Sequence, residues 1–282
     1  MRFAALLLLA VPLWGSPEEA AVRYLAREVP SWHAENGCFS CHNNGDGARA
    51  LYRARRAGLP VPEDALRDTT GWLARPADWD RDAEAFGGRT LARVQYAAAL
   101  AESGAGGMRE ATAILAAAQD ASGAWLVTPD GTIGAPATYG NPLATLLASN
   151  VLRQAGEHAA AVEKATAWLE GAPSRATVDH AARVLALNRG TGELAAAANA
   201  DGGWGPYAGL PSEPFDTAIA LIALARHKPS AAHVQAGRAY LIRTQLESGG
   251  WPETTRPAGA QSYAQHISTA AWGLIALIET AP

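Results

Sequence analysis

One short motif recurs along the chain: an aromatic residue or Ile followed directly by Leu. It occurs as Tyr24-Leu25, Trp72-Leu73, Ile114-Leu115, Trp168-Leu169 and Tyr240-Leu241, at intervals of 48, 42, 54 and 72 residues. Each pair lies near the end of an amphipathic helical stretch. The longest interval leaves room for a shortened unit around Glu193 to Ala198. A second, more apolar helix type alternates with the first, over 48–57, 90–101, 143–154, 178–187, 216–225 and 267–278. Two of these superpose without gaps: Asp179 to Leu187 lies over Asp216 to Leu224. Six helix pairs at a period of roughly 45 residues are the signature of a helical repeat architecture.

Such a repeat has two kinds of helix for a physical reason. The second helix of each pair is alanine-rich and apolar all round, so it is expected on the inside. The first carries charges (Glu18, Glu19, Arg23 and Arg27; Glu163 and Lys164; Arg238 and Arg243) and is expected to face solvent. Six pairs can close into an all-α ring, an (α/α)6 toroid, with an open solenoid as the alternative. Hydrophobic residues make up 49% of the 282 and charged residues 18%, which suits a large core. A net charge of −4 supplies no basic stripe for a nucleic-acid partner.

Connections from outer to inner helix are long and rich in Gly, Pro and Trp. The clearest are Asn199 to Pro206, Gln245 to Pro252 and Gln119 to Trp125. The return connections are short. All the long loops therefore gather on one rim, which is the expected functional face.

The long loop of the first pair carries Cys38-Phe39-Ser40-Cys41-His42, with the chain's only two cysteines. C-x-x-C-H is the c-type haem attachment pattern. Two thiols bond to the haem vinyl groups, and the adjacent His42 is placed to ligate the iron. One covalent haem c is the expectation. A redox or structural disulfide and part of a zinc site are the alternatives. His266 and then His33 are the candidate distal ligands, because both lie on the loop side and the sixth pair adjoins the first in a closed ring. His180 also lies on that side. His158, His227, His233 and Met108 belong to the opposite rim. A five-coordinate iron would favour ligand binding or peroxide chemistry over electron transfer.

The segment Ala239 to Gln245 followed by Gly250-Trp251 resembles the QW repeat of squalene-hopene cyclases and related prenyltransferase-type toroids. Gln119 to Trp125 is a second copy and Gly203-Trp204 a partial third, so the resemblance covers roughly residues 60 to 280. It implies the toroid fold. The activities of that group need residues this chain lacks: an Asp-x-Asp-Asp run, a spare zinc-binding cysteine, or a Cys-Gly-Glu-Gln run. Asp78-Trp79-Asp80-Arg81-Asp82 has similar acidic density in the wrong pattern. Asp216-Thr217-Ala218 resembles the Asp-Cys-Thr-Ala run of oxidosqualene cyclases, but its repetition at Asp179 reads as a helix cap.

Asn43-Asn44-Gly45-Asp46-Gly47 is expected to turn into the first inner helix, with Asp46 as its cap. It lacks the spacing of a calcium loop. Tyr139, Trp204, Tyr207, Trp251, Tyr263 and Trp272 are aromatics of the loop side, suited either to plain core packing or to an apolar cavity. Residues 1–16 read as a secretory signal: Arg2, then eleven apolar residues from Phe3 to Leu13, too short to span a bilayer. The expectation is an exported protein, secreted or periplasmic, with no membrane span after cleavage and one toroid over 17–282. Its function would be haem-based electron transfer or redox chemistry at the cavity mouth, with a redox partner protein or a small apolar ligand in the cavity. The rivals are a toroid that binds or converts an isoprenoid, with Cys38 and Cys41 as a disulfide, and a haem-free scaffold.

Overall fold

The computed structural model describes residues 15–81, 89–227, 231–254, 256 and 262–281. Residues 1–14 of the expected signal and Asp82 lie outside them. Among the described residues there are twelve α-helices: α1 (Pro17–Asn36), α2 (Ala48–Arg56), α3 (Asp64–Leu73), α4 (Arg89–Ser103), α5 (Met108–Ala117), α6 (Asn141–Ala155), α7 (Ala159–Gly171), α8 (Thr177–Leu187), α9 (Thr191–Ala196), α10 (Pro214–Arg226), α11 (Ala231–Thr244) and α12 (Tyr263–Glu279). The even-numbered helices pack successively side by side, and α12 returns to α2. The odd-numbered helices flank them. The protein is a closed (α/α)6 toroid of the terpenoid-cyclase type.

The Leu of every recurring pair serves the same purpose. Leu25, Leu73, Leu115, Leu169 and Leu241 are all buried, and Leu194 of the short α9 is buried as the sixth. The inner helices are mostly buried because their flanks pack on one another and on the outer ring, although α2 brings Arg49 and Arg53 to the channel. Every residue of α10 from Pro214 to Leu224 is buried.

The three clear Gly-Trp loops share one construction. Trp125, Trp204 and Trp251 each donate an indole N–H to a carbonyl ten residues back, Leu115, Leu194 and Leu241, at 2.9, 2.7 and 2.8 Å. Those carbonyls lie in the last turns of outer helices, where the i+4 donor is missing and only weaker i+3 contacts remain, from Ala118 N at 3.0 Å, Ala197 N at 3.3 Å and Thr244 Oγ1 at 3.4 Å. Gln119 and Gln245 each bridge their own loop to the next outer helix, through Ala161 O at 2.8 Å and Pro17 O at 2.9 Å. Gln245 thus ties the last loop to the first helix. Glu18 of α1 pairs with Arg238 of α11 across the same seam. Gly249 has φ 94°, and a Cβ there would stand 2.1 Å from Ala20 O, so only glycine lets the loop reach α1.

Candidate functional site

Ser40 to Gly47 has no Trp to seat, unlike the equivalent loops. Cys41–Gly47 instead forms one π-helical turn running into α2. Ser40 Oγ accepts from the backbone N–H of His42 at 3.2 Å and of Asn43 at 3.4 Å. Asn44 donates to Val29 O at 3.0 Å and to Thr69 Oγ1 at 2.9 Å, so α1 and α3 both grip the turn. Asn43 donates to Glu28 O at 2.7 Å and Tyr263 OH at 2.8 Å. A Cβ at Gly45 would lie 2.9 Å from Gln95 Cβ, so this glycine lets the turn sit directly on α4. π-turns of this kind recur at functional sites.

The expected cap at Asp46 is not formed. α2 begins without a side-chain cap, and Asp46 points into the ring, 1% exposed. Its carboxylate accepts hydrogen bonds from Ser268 Oγ at 2.7 Å, from Gln95 Nε2 at 2.7 Å and from Tyr139 OH. Trp272 Nε1 donates to the Tyr139 hydroxyl at 3.0 Å. Because the Ser268 hydroxyl gives its proton to Asp46, its oxygen is the acceptor for His42 Nδ1–H at 2.9 Å. That chain fixes the tautomer: His42 carries its proton on Nδ1, and Nε2 keeps a lone pair. Burial lowers the His42 pKa more than Asp46 raises it, which keeps the ring neutral.

His42 and Cys41 lie on the wall of a cavity of about 450 Å³. Its other walls are aromatic: Trp32, Phe39, Trp72, Trp79, Tyr96 and Tyr263. Phe39 stacks on Trp72 at 4.5 Å, and Tyr96 meets Trp72 edge-on at 4.4 Å. Asp80 and Arg89 stand at one side, with Asp80 held by Arg93 Nε at 3.1 Å. The volume and the apolar lining suit a small-molecule ligand. Burial, reinforced by Asp46, pushes the Cys41 thiol up to about 12. The thiols of Cys38 and Cys41 are not joined.

The candidate distal ligands do not line this cavity. His266 has both ring nitrogens engaged, Nε2 with the Glu253 carboxylate and Nδ1 with Trp251 O at 3.4 Å. The last loop holds it, so closeness of the sixth pair to the first does not bring it to His42. His33 stacks on Phe39 at 4.0 Å, behind the aromatic that forms the wall. His180 pairs with Glu193 at 3.5 Å. Met108 opens α5 on the opposite rim, as expected. Among the described residues no cluster of three or more His, Cys, Asp or Glu side chains is arranged to hold a metal ion.

Of the six loop-side aromatics, Tyr263 lines the cavity. Trp204 and Trp251 are loop anchors in the core, and Tyr139 and Trp272 belong to the buried network. Tyr207 is surface-exposed. Asp179 does cap its helix, accepting from Ala176 N at 3.1 Å and Arg175 N at 3.3 Å. Asp216 does not. It is wholly buried and takes Arg256 at 2.6 Å, with Oδ1 lacking a hydrogen-bond partner among the described residues. Burial outweighs Arg256 and raises its pKa to about 7.

Sequence reasoning missed Gln95 and Ser268 altogether and gave Tyr139 no polar role. One signal was available: two glycines flank a lone Asp immediately after the motif. Tyr139 gave none, since its φ of 63° is visible only in the fold.

The chain resembles a terpene synthase in part. Over 79 residues it is 39% identical to drimenyl diphosphate synthase of Streptomyces showdoensis. That stretch is 27% of this chain and 15% of the synthase, so the chain matches a small part of that relative's length. No protein-family profile matches the chain. The similarity and the all-helical ring together fit a terpenoid-cyclase-like fold. No helix among the described residues is long and apolar enough to cross a membrane.

Proposed function

We propose that this toroid carries one covalent haem on the wall of its aromatic cavity, through Cys38 and Cys41, with His42 as the iron ligand. The observation that carries the reading is the contact of His42 Nδ1 with Ser268 at 2.9 Å, from which the tautomer follows. Its Nδ1–H is spent on Ser268, and its remaining nitrogen belongs to a ring that lines an apolar cavity beside Cys41. Haem when bound supplies iron redox chemistry or binding of a small ligand. The chain's own contribution is orientation: Asp46 holds Ser268, and Ser268 holds the imidazole. An imidazole backed by a carboxylate through a hydroxyl is a stronger donor to a metal than a free one. The aromatic walls exclude water and favour a flat apolar group. With His266 and His33 both held elsewhere, the reading favours ligand binding at the iron over simple electron transfer. Export and a redox partner belong to the same proposal.

The partial identity to a terpene synthase favours a second reading, in which the same apolar cavity binds or converts an isoprenoid. His42, backed by Asp46, would then be the group able to accept a proton there. The Asp-x-Asp-Asp run is absent from the sequence.

Expression of the full chain with c-type maturation machinery separates the two. A Soret band and haem staining that survive denaturing electrophoresis, lost in Cys38→Ser and Cys41→Ser, support the haem reading. A colourless, folded protein sinks it and leaves the isoprenoid reading, which saturable binding of a farnesyl compound then tests.

A further inference from the structure

The channel of the ring holds a second cavity, of about 70 Å³, toward the short-connection rim. Its polar wall is Arg49 and Arg53 of α2, Glu102 of α4, Asn150 and Gln154 of α6 and Arg226 of α10, with Trp272 of α12 beside them. Three of its arginines and one carboxylate face each other there. The charges packed around it are Arg49, Arg53, Arg56 and Arg226 against Asp46, Glu102 and Glu279, four cations to three anions.

Most of this charge is matched. Glu102 takes Arg53 Nε at 2.7 Å and also Arg56. Glu279 takes Arg226 Nε at 2.7 Å and also Arg53. The inner helices end toward this rim, so their terminal carbonyls also favour cations there. Burial nevertheless lowers the Arg53 pKa to about 10, the mark of a dry, crowded cation.

Arg49 is different. It sits in the first turn of α2, where no helix carbonyl end stabilises it. Its side chain is 4% exposed, and its buried Nε and Nη2 have no hydrogen-bond partner among the described residues. Asp46 is 3.9 Å away, but that carboxylate already accepts from Ser268, Gln95 and Tyr139. The guanidinium lies over Trp272, 4.3 Å from the ring centroid. A buried guanidinium with its hydrogen bonds unmade is costly, and a small acceptor in the adjoining space would remove that cost. The space is enough for a few waters or one compact ion.

We propose that Arg49 holds a small inorganic monoanion, of chloride or nitrate size, in the channel. The site is independent of haem at His42. The anion supplies Arg49 with the countercharge that Asp46, already holding three donors, does not fully give it.

Iodide tests it, because it quenches indole on contact and Trp272 lines the cavity. The full chain is titrated with iodide at constant ionic strength, with gluconate as the balancing anion. The expected result is a saturable component of quenching that chloride and nitrate compete away. Trp272→Phe should remove it, Arg49→Gln should weaken it by about tenfold or more, and Arg56→Gln, outside the cavity, should leave it intact. Quenching linear in iodide throughout, or a saturable component that survives Arg49→Gln, overturns the proposal. Should Arg49→Gln fail to fold, anomalous diffraction from iodide-soaked parent crystals decides: a peak against Arg49 supports the site, and none overturns it.

Discussion

His42 Nδ1 lies 2.9 Å from the hydroxyl of Ser268, a residue 226 positions later in the chain. The contact crosses the seam where the ring closes, so the orientation of the first loop depends on the last helix. Ser268→Ala removes the acceptor for His42 and a donor to buried Asp46. We expect a loss of about 1–3 kcal/mol in urea unfolding. We also expect a smaller fraction of haem-bearing protein from the same maturation host, since an unanchored imidazole no longer holds one tautomer. Unchanged stability and unchanged haem content would refute the positioning role.

Two groups with shifted pKa values give opposite pH dependences. His42 has a lowered pKa, chiefly from burial. The unfolded chain therefore takes up a proton below the usual histidine range while the folded one does not. This contribution is fully present above that range and is lost as pH falls from it through the lowered value of the folded state. His42→Gln should flatten the acid limb of the stability profile of haem-free protein. An acid limb with the parent's slope would place the titration elsewhere.

Asp216 works the other way. Burial, against the opposing pull of Arg256, raises its pKa to about 7. Its stabilising contribution is fully present below the ordinary carboxylate range and is lost as pH rises through about 7. Asp216→Asn should gain on the parent between pH 5 and pH 8, as measured by denaturant midpoints. A constant difference between the two proteins would exclude it.

Gly249 sits at the closing seam with φ 94°, facing Ala20 O. Gly104 has φ 72° and open space around it. Gly104→Ala should cost only about 1 kcal/mol of backbone strain. Gly249→Ala adds a clash with backbone and should cost at least twice that, visible as a lower thermal midpoint. Equal effects would mean that the loop does not lock against α1.

Trp251 Nε1 satisfies the Leu241 carbonyl at 2.8 Å inside the core. Trp251→Phe keeps most of the apolar bulk and leaves that carbonyl only the long contact from Thr244 Oγ1 at 3.4 Å. A loss of about 1–3 kcal/mol is expected, read from chemical denaturation. A neutral result would leave packing alone as the role of the indole.

Cys41 is half-buried in the cavity wall, and loss of hydration there pushes its thiol up to about 12. It is therefore neutral near pH 8 and a poor nucleophile. Iodoacetamide added to folded haem-free protein should label Cys38 well before Cys41, as followed by peptide mass spectrometry. Faster labelling of Cys41 would contradict the raised thiol pKa.

The sequence by itself determined the repeat of paired helices, while the packing of α12 on α2 decided that it closes into a ring and not an open solenoid. The recurring Leu, the alternation of charged and apolar helices, and the Gly-Trp loops are local patterns, each repeated often enough to be read from the chain. A toroid built from near-copies needs little more than that repetition, because every unit buries its neighbour in the same way. The motif at Cys38, Cys41 and His42 was legible for the same reason: it is five contiguous residues. Tertiary structure decided what surrounds it. Asp46, Gln95, Tyr139 and Ser268 come from four separate parts of the chain and meet only when the ring closes. Asp46 and Asp216 both begin inner helices in sequence, as Asp179 does, yet only Asp179 caps one. Whether a carboxylate turns back to its own helix or inward depends on which donors the neighbouring units present, and a local pattern does not contain that. His266 shows the same limit, since closure brought its helix to the first loop while Glu253 and Trp251 kept its ring.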